Sequence, residues 1–476
     1  MNGEVQSTQV VVIGAGPGGY AAAFRAADLG LKVTLIDLDV NPGGVCLYRG
    51  CIPSKALLHA AKIIREASES QELGIDFGKP KIDLSKLKNW KEQVVGKLTG
   101  GLGELSKQRK IEFIQGRASF DDSHHLLVQP NSQGNQIRLK FEYAIIATGS
   151  RPFLPPALSV ESDHLWTSNE ALNLSEIPQK MLVVGGGYIG LELSTVYSAL
   201  GCEVHVVEMA PSLLPGVDKD LVRVLSKRLE GMLASIRTNT QVLKLEEKSG
   251  QLQVSLQNEK GEKSEETYQK VLVAIGRKPN SSGLVLNNTS VQINEKGFIQ
   301  VDAQRRTTLP HIFAIGDVAG EPMLAHKATH EGIVAAEAIA GKSRVFEPRA
   351  IPAVVFTDPE IAWCGITEAQ AKAENKEVVV SRFPWAASGR AITLHRTDGV
   401  TKIIADPETD AVLGVGIVGP GAGELIAEGV LAMEMGATAS DMAMSIHAHP
   451  TLSETLMESA EGVDASPIHI YKPKRN

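Results

Sequence analysis

QVVVIGAGPGGYAAAFRAADLGLKVTLID, residues 9–37, is the stretch on which the fold turns. It opens on an apolar run that fits a buried strand, turns through glycines, and continues as an alanine-rich segment with helical spacing. A second β-branched run, KVTLID, ends on an acid, Asp37. Gly14, Gly16 and Gly19 have the G-x-G-x-x-G spacing, and Asp37 follows Gly19 by 18 residues. Each part has a physical task. The first glycine permits a tight turn, the second lets the backbone approach a pyrophosphate, and the third lets helix and strand pack closely. Amides at the helix start face the phosphates. The acid accepts hydrogen bonds from an adenosine ribose.

The whole unit recurs. MLVVGGGYIGLELSTVYSALGCEVHVVE, residues 181–208, carries Gly185, Gly187 and Gly190, and Glu208 stands 18 residues after Gly190. Two copies in register predict an α/β protein with two Rossmann-like domains, each holding a dinucleotide. The residues after Glu208 read MAPSLL, with no Arg or Lys. A 2′-phosphate there would meet a carboxylate and no cation, so the second site is expected to take NAD rather than NADP.

The 476 residues leave room for roughly three domains. A net charge of −7 gives no electrostatic case for nucleic acid, and the basic tail YKPKRN is too short to change that. No apolar run reaches the ~18 residues of a membrane span. The polar start, MNGEVQSTQ, lacks the layout of a signal peptide. A reducing cytoplasm is the expected location.

In that compartment GGVCLYRGCIPSK, residues 43–55, has its own meaning, because it holds two of the four cysteines, Cys46 and Cys51. Cys202 and Cys364 are isolated and read as small buried hydrophobes. The ligands of a structural zinc are missing, so no metal is expected. A close dithiol in a reducing cell points to redox chemistry rather than a staple. The segment CIPSKALLHAAKIIREA fits an amphipathic helix, and a thiol at its start, near Lys55, would have a lowered pKa. Two dinucleotides and a dithiol suggest an electron relay. A flavin exchanges electrons with both a nicotinamide and a thiol pair, which makes FAD the natural first dinucleotide.

GGVCLYRGCIPSKALLH resembles the redox-active segment of the dihydrolipoamide dehydrogenases, within the pyridine nucleotide–disulfide oxidoreductase family. The likeness extends over nearly the whole chain. It includes ATGSRP (147–152), AIGRKPN (274–280), HIFAIGDVAG (311–320), MLAHKATHEG (323–332) and HAHPTLSE (447–454). The resemblance implies roles. Cys51 is the thiol against the flavin, and Cys46 is the interchange thiol that meets substrate. Lys55 lies near the flavin, paired with Glu192. Asp317 binds the flavin side chain, Ala325 contacts it by backbone, and Ala118 lies near the adenine. Gly149 also belongs to the cofactor-binding positions, while Val242 and Gly276 line the NAD site. His449, oriented by Glu454, is the base, supplied by the other subunit of a homodimer. His447 reads as structural rather than as a metal ligand.

The implied activity is oxidation of protein-bound dihydrolipoyl-lysine, with electrons passing through the dithiol and FAD to NAD⁺. The implied partner is a lipoyl-bearing acyltransferase or carrier protein of a 2-oxoacid dehydrogenase or glycine cleavage complex. With no lipoyl extension before residue 10, the substrate arm is expected from another protein. The expected division is an FAD-binding domain (1–150), an NAD-binding domain (151–279), a central domain (280–348) and an α+β interface domain (349–476). Other family members fit less well. A glutathione reductase would carry cations near Glu208, a mercuric reductase a C-terminal cysteine pair, and a transhydrogenase no dithiol. A non-catalytic scaffold would have lost a reactive group. Two local features stand apart. Tyr188 reads as a gate over the nicotinamide pocket or as plain packing. Tyr48 and Arg49 replace the Asn-Val often seen between the cysteines, with an effect on redox poise whose direction the sequence leaves open.

Overall fold

The computed structural model describes residues 6–131 and 134–471. The first five residues of the polar start and residues 472–476 of the basic tail lie outside them.

The first unit forms as its pattern dictates. Strand Gln6–Ile13 pairs in parallel with Val33–Asp37 on one side and with Ile137–Ile146 on the other. Helix Pro17–Asp28 bridges them, burying Ala22, Ala23 and Ala26. Two long strands bend into a second layer. Glu112–Asp122 and Ile137–Ile146 each also pair antiparallel with His125–Pro130. The sheet is completed from far along the chain by Ile312–Ala314, parallel to Ile137–Ile146. Helix Ala325–Ile339 then packs on the first helix, with Gly332 against the Gly18 carbonyl, an approach that a Cβ would block. Segment 280–348 therefore lends its strand and its helix to the first sheet.

The second unit is a parallel five-stranded sheet with the order Ser235–Arg237, Glu203–Val207, Lys180–Val184, Lys270–Val273, Leu165–Trp166. Its repeat of the first unit extends to single hydrogen bonds. Gly14 N–H donates to Ile36 O and Gly185 N–H to Val207 O, both at 2.8 Å. Ala147 N–H donates to Ile13 O and Ala274 N–H to Val184 O, again both at 2.8 Å. The ATGSRP and AIGRKPN motifs are thus the same structural position in two copies. They also join, as Ser150–Pro152 pairs antiparallel with Arg277–Pro279. Cys202 lies one residue before strand Glu203–Val207 rather than within it, buried at 6% exposure.

The C-terminal part is an antiparallel sheet of five strands, with Val400–Ala405 and Val412–Val418 near its centre. Helices Ala422–Met435 and Glu454–Asp464 pack on it. A charge cluster fastens it to the second unit. Lys402 Nζ lies 2.6 Å from Asp218, 2.8 Å from Asp220 and 2.9 Å from Glu368. The three carboxylates converge as metal ligands would, but the ammonium already sits among them. Asp218 also accepts from the backbone of Glu368 and Ala369, which satisfies the start of helix Glu368–Ala373. Removing the cation strands the buried Asp218, while Arg382 still pairs with Asp220 and Glu368. Lys402→Met is expected to destabilise the protein by roughly 3 kcal/mol, read as a lowered urea midpoint. A midpoint equal to the wild type would show the cluster to be dispensable.

Among the described residues no helix is long and apolar enough to cross a membrane.

Candidate active site

The short helix Gly44–Arg49 ends at Gly50, and Cys51 begins the long helix Cys51–Glu69. The two helices meet so closely that a Cβ on Gly50 would stand 2.9 Å from the Val45 carbonyl and 3.2 Å from Cys46 Cα. That contact brings the cysteines together. Both are free, half-buried thiols whose side chains hydrogen-bond to each other. Their acidities split. The bond from Cys46 and the charge of Lys55 outweigh burial at Cys51 and lower its pKa to about 7. Cys46 is pushed well up, by that same bond first and then by burial. Of the pair, Cys51, at the helix start, is therefore the thiol that ionises first.

One turn along the helix, Lys55 reaches Glu192 at 2.9 Å. Glu192 is buried, on the first helix of the second unit, and its carboxylate is fully engaged. Ser54 Oγ donates to Oε2 at 3.0 Å, and the Phe356 N–H to Oε1 at 3.0 Å. Lys55 Nζ also lies 4.4 Å above the Phe356 ring. Helices from both nucleotide-binding units and a loop of the C-terminal part thus meet at one carboxylate.

A cavity of about 760 Å³ runs from this point back along the first glycine turn. Cys46, Cys51, Lys55 and Glu192 line it, as do Gly149, Asp317 and Ala325. Gly14, Gly16, Asp37 and Ala118 line it as well. Gly19 lies behind the wall, where a Cβ would strike the Gly14 carbonyl. Asp37 accepts from Ala15 N–H at 2.5 Å and from Asp39 N–H at 3.0 Å, which orients its carboxylate toward the cavity. Gly16 precedes helix Pro17–Asp28 with no side-chain cap and no acid in the first turn. These uncapped amides, beside open space at Gly16, fit a pyrophosphate. The cavity therefore suits FAD along its length.

Sequence reasoning passed over three residues, two of which, Ser150 and Arg277, shape the wall beside Asp317. Ser150 Oγ donates to Asp317 at 2.5 Å and accepts from Arg277 Nε at 2.7 Å. Comparing ATGSRP with AIGRKPN as repeats would have exposed Ser150 and Arg277. No local signal marks Phe356, which arrives from 164 residues beyond Glu192.

The second cradle copies the first. Gly185 and Gly190 hold the turn, Gly187 opens beside an uncapped helix start, and Glu208 accepts from Gly186 N–H at 2.6 Å and Ala210 N–H at 2.7 Å. Arg237, on the neighbouring strand, is committed to Glu266 and Tyr268. The carboxylate of Glu208 thus has no uncommitted arginine beside it on the neighbouring strand. Val242 is buried in the core of this unit, so only its backbone remains for a ligand. Gly276, at φ +132°, stands beside Arg277 where the two units join. Tyr188 opens the helix after this turn, is 41% exposed, and lines the large cavity.

His449 lies apart from that cavity, on the surface of the C-terminal part, with 76% of its side chain exposed. Its Nδ1 is 2.8 Å from Glu454 Oε1, and Glu454 Oε2 accepts from Thr451 N–H at 2.8 Å. Burial raises the Glu454 pKa, but these two hydrogen bonds outweigh it and hold the carboxyl below its usual value. His447 is held between the Ser445 carbonyl and Glu428, each at 2.8 Å, a structural arrangement.

The chain belongs to the pyridine nucleotide-disulphide oxidoreductase family: residues 8–332 match that family, and residues 351–460 match its dimerisation domain. Members of this family use FAD and NAD, as the two cradles require. Its relatives include dihydrolipoyl dehydrogenases. That of Vibrio parahaemolyticus is 48% identical, over 98% of this chain and 97% of its own. That of Haemophilus influenzae is 49% identical, over 96% and 95%. That of Thermus scotoductus is 46% identical, over 98% and 99%. Among solved structures, a copper(II) complex of a mutant of RclA, the HOCl-induced flavoprotein disulfide reductase of Escherichia coli, superposes with a TM-score of 0.85. It is 28% identical and covers 96% of this chain and 99% of its own.

Proposed function

We propose that the protein is an NAD-dependent dihydrolipoyl dehydrogenase, acting as a homodimer on the dihydrolipoyl group of a carrier protein. One observation carries the reading: the paired thiols Cys46 and Cys51 share a cavity with the FAD-type glycine turn and with Tyr188 and Glu192 of the second unit. The names of the relatives support the substrate.

The residues take the following roles. The partner subunit's His449, its Nδ1–H held by Glu454, takes a proton at Nε2 from one substrate thiol. The resulting thiolate attacks Cys46 Sγ of the Cys46–Cys51 disulfide, and Cys51 leaves as a thiolate stabilised by its lowered pKa. The second substrate thiol then attacks the substrate sulfur of the mixed disulfide, and its proton passes to the departing Cys46 sulfur. The cyclic disulfide closes, and Cys46 departs and takes that proton, as its raised pKa favours. FAD and NAD⁺, when bound, would supply the acceptor chemistry for the two electrons. Lys55 and Glu192 fix the walls around the thiols, and Asp37, Ala118, Gly149, Asp317 and Ala325 hold the FAD along its cavity. Gly185, Gly187, Gly190, Glu208, Val242 and Gly276 frame the NAD. His449 does not line its own chain's cavity, which supports the two-subunit site.

The carrier we infer is the lipoyl-bearing acyltransferase or carrier protein of a 2-oxoacid dehydrogenase or glycine cleavage complex. We place the protein in the cytoplasm, a reading supported by the isolated, buried thiols of Cys202 and Cys364. Of the division at residues 150, 279 and 348, the sheet pairings support the second and the last part as units, while segment 280–348 shares the sheet of the first.

An anaerobic titration of the yellow protein with dihydrolipoamide, then NAD⁺, tests the relay. A long-wavelength absorbance band that clears as NADH forms is the expected result. An unchanged spectrum in a protein that NADH still reduces would discard the substrate. The Glu208 arrangement gives a second expectation. NADP⁺ should be at least ~100-fold poorer than NAD⁺ in kcat/KM, the scale of an unpaired charge in a binding site. Comparable rates would remove Glu208 as the selector.

A further inference from the structure

The helix carrying Cys46 has only six residues and no side-chain cap, and glycines bound it on both sides. Its own hydrogen bonds are too few to fix its direction. At its start, Gly43 N–H donates to the Ala15 carbonyl at 2.8 Å, beside the first glycine turn. At its end, Arg49 makes a two-pronged pair with Asp39, Nη1–Oδ1 3.0 Å and Nη2–Oδ2 2.7 Å. Tyr48 adds a bond to the Asn41 carbonyl at 3.2 Å. Asp39 N–H in turn donates to Asp37, the acid set for the adenosine ribose. Cys46 and Arg49 are three apart, on one face of the helix, and both line the cavity. A continuous chain of contacts thus joins Asp37, Asp39, Arg49 and the Cys46 helix.

We propose that Arg49, acting through Asp39, is a positioning residue that ties the Cys46 helix to the adenosine end of the cofactor cavity, so that FAD retention and Cys46 reactivity change together. The inference rests on the reading of that cavity as the FAD site. Exposed ion pairs are weak, but this one is a planar fork onto an acid whose side chain is only 17% exposed. Its effect belongs near the upper end of the range for surface pairs, ~1 kcal/mol, which is about fivefold in a rate or equilibrium. Because the coupling is reciprocal, an occupied adenosine site holds the helix, and a held helix retains the cofactor.

The test uses purified holoenzyme. FAD release is timed by the fluorescence of freed flavin. Alkylation of Cys46 by iodoacetamide is followed by peptide mass in a Cys51→Ser background, where Cys46 is the sole thiol of the pair. Arg49→Met should quicken both by about fivefold, with Arg49→Lys between it and the wild type, since lysine keeps the charge but not the fork. Asp39→Asn should match Arg49→Met, and the double variant should be no worse than either. Faster FAD release with unaltered Cys46 alkylation overturns the coupling. Additive effects of the two substitutions overturn the path through Asp39. Unchanged rates in Arg49→Met, in a protein that holds FAD, overturn the proposal alone. A wild-type protein that binds no FAD overturns the cofactor reading and this one with it.

Discussion

The Cys51→Ser variant is expected to keep its yellow colour and lose electron transfer from dihydrolipoamide to NAD⁺ by a factor on the order of 10⁴ or more, the scale seen when a nucleophilic residue is removed. Serine has nearly the shape of cysteine, so the cavity and the hydrogen bonds of Glu192 survive. The hydroxyl can neither form a disulfide nor leave as a stable anion. Cys46 alone accepts no electron pair. Full activity in the variant would sink the relay. The split acidities of the two thiols add a pH signature. With Cys51 near pKa 7 and Cys46 far above it, reduction of the disulfide takes up two protons below pH 7 and one above. The midpoint potential of the thiol pair should fall by about 59 mV per pH unit below neutrality and about 30 mV above. A single slope through pH 7 would move the thiolate off Cys51.

His449→Gln has the second large effect. Glutamine preserves a polar side chain on the surface but offers no base. Dihydrolipoamide turnover is expected to fall by about 10²–10⁴, the range of general acid–base catalysis. Reduction of the bound flavin by NADH needs no proton taken from a thiol, and should keep its rate. That contrast separates a base from a scaffold residue, because an equal loss in both half-reactions would mean His449 merely supports the fold. The Glu454 carboxylate, held on one oxygen by Thr451 and on the other by His449, sets which ring nitrogen is bare.

The two Rossmann-like units were legible because their physics is local. A strand, a glycine turn, a helix and a terminal acid lie within 29 residues in the first copy, and each dictates the next. The dithiol was legible for the same reason, with helix start, Lys55 and both cysteines inside thirteen positions. What sequence reading missed comes from contacts closed across the chain. Ile312–Ala314 joins the first sheet by pairing with a strand about 170 residues earlier. Phe356 meets Glu192, and Ser150 meets Arg277 and Asp317, with no periodicity to announce either. His449 was one of twelve histidines, and only the resemblance singled it out. The structure of one chain leaves it on the surface, outside the cavity that the thiols line.

Glu192 has a dynamic consequence. It stands on the helix of the second nucleotide-binding unit, yet Ser54, Lys55 and Phe356 N–H all converge on it, and Lys402 clamps the same unit from the other side. Swinging that unit outward as a lobe on a hinge would expose a buried anion and break two charge clusters at once. The nicotinamide nucleotide is therefore expected to exchange within a fixed frame, by motions smaller than the swing of a whole unit.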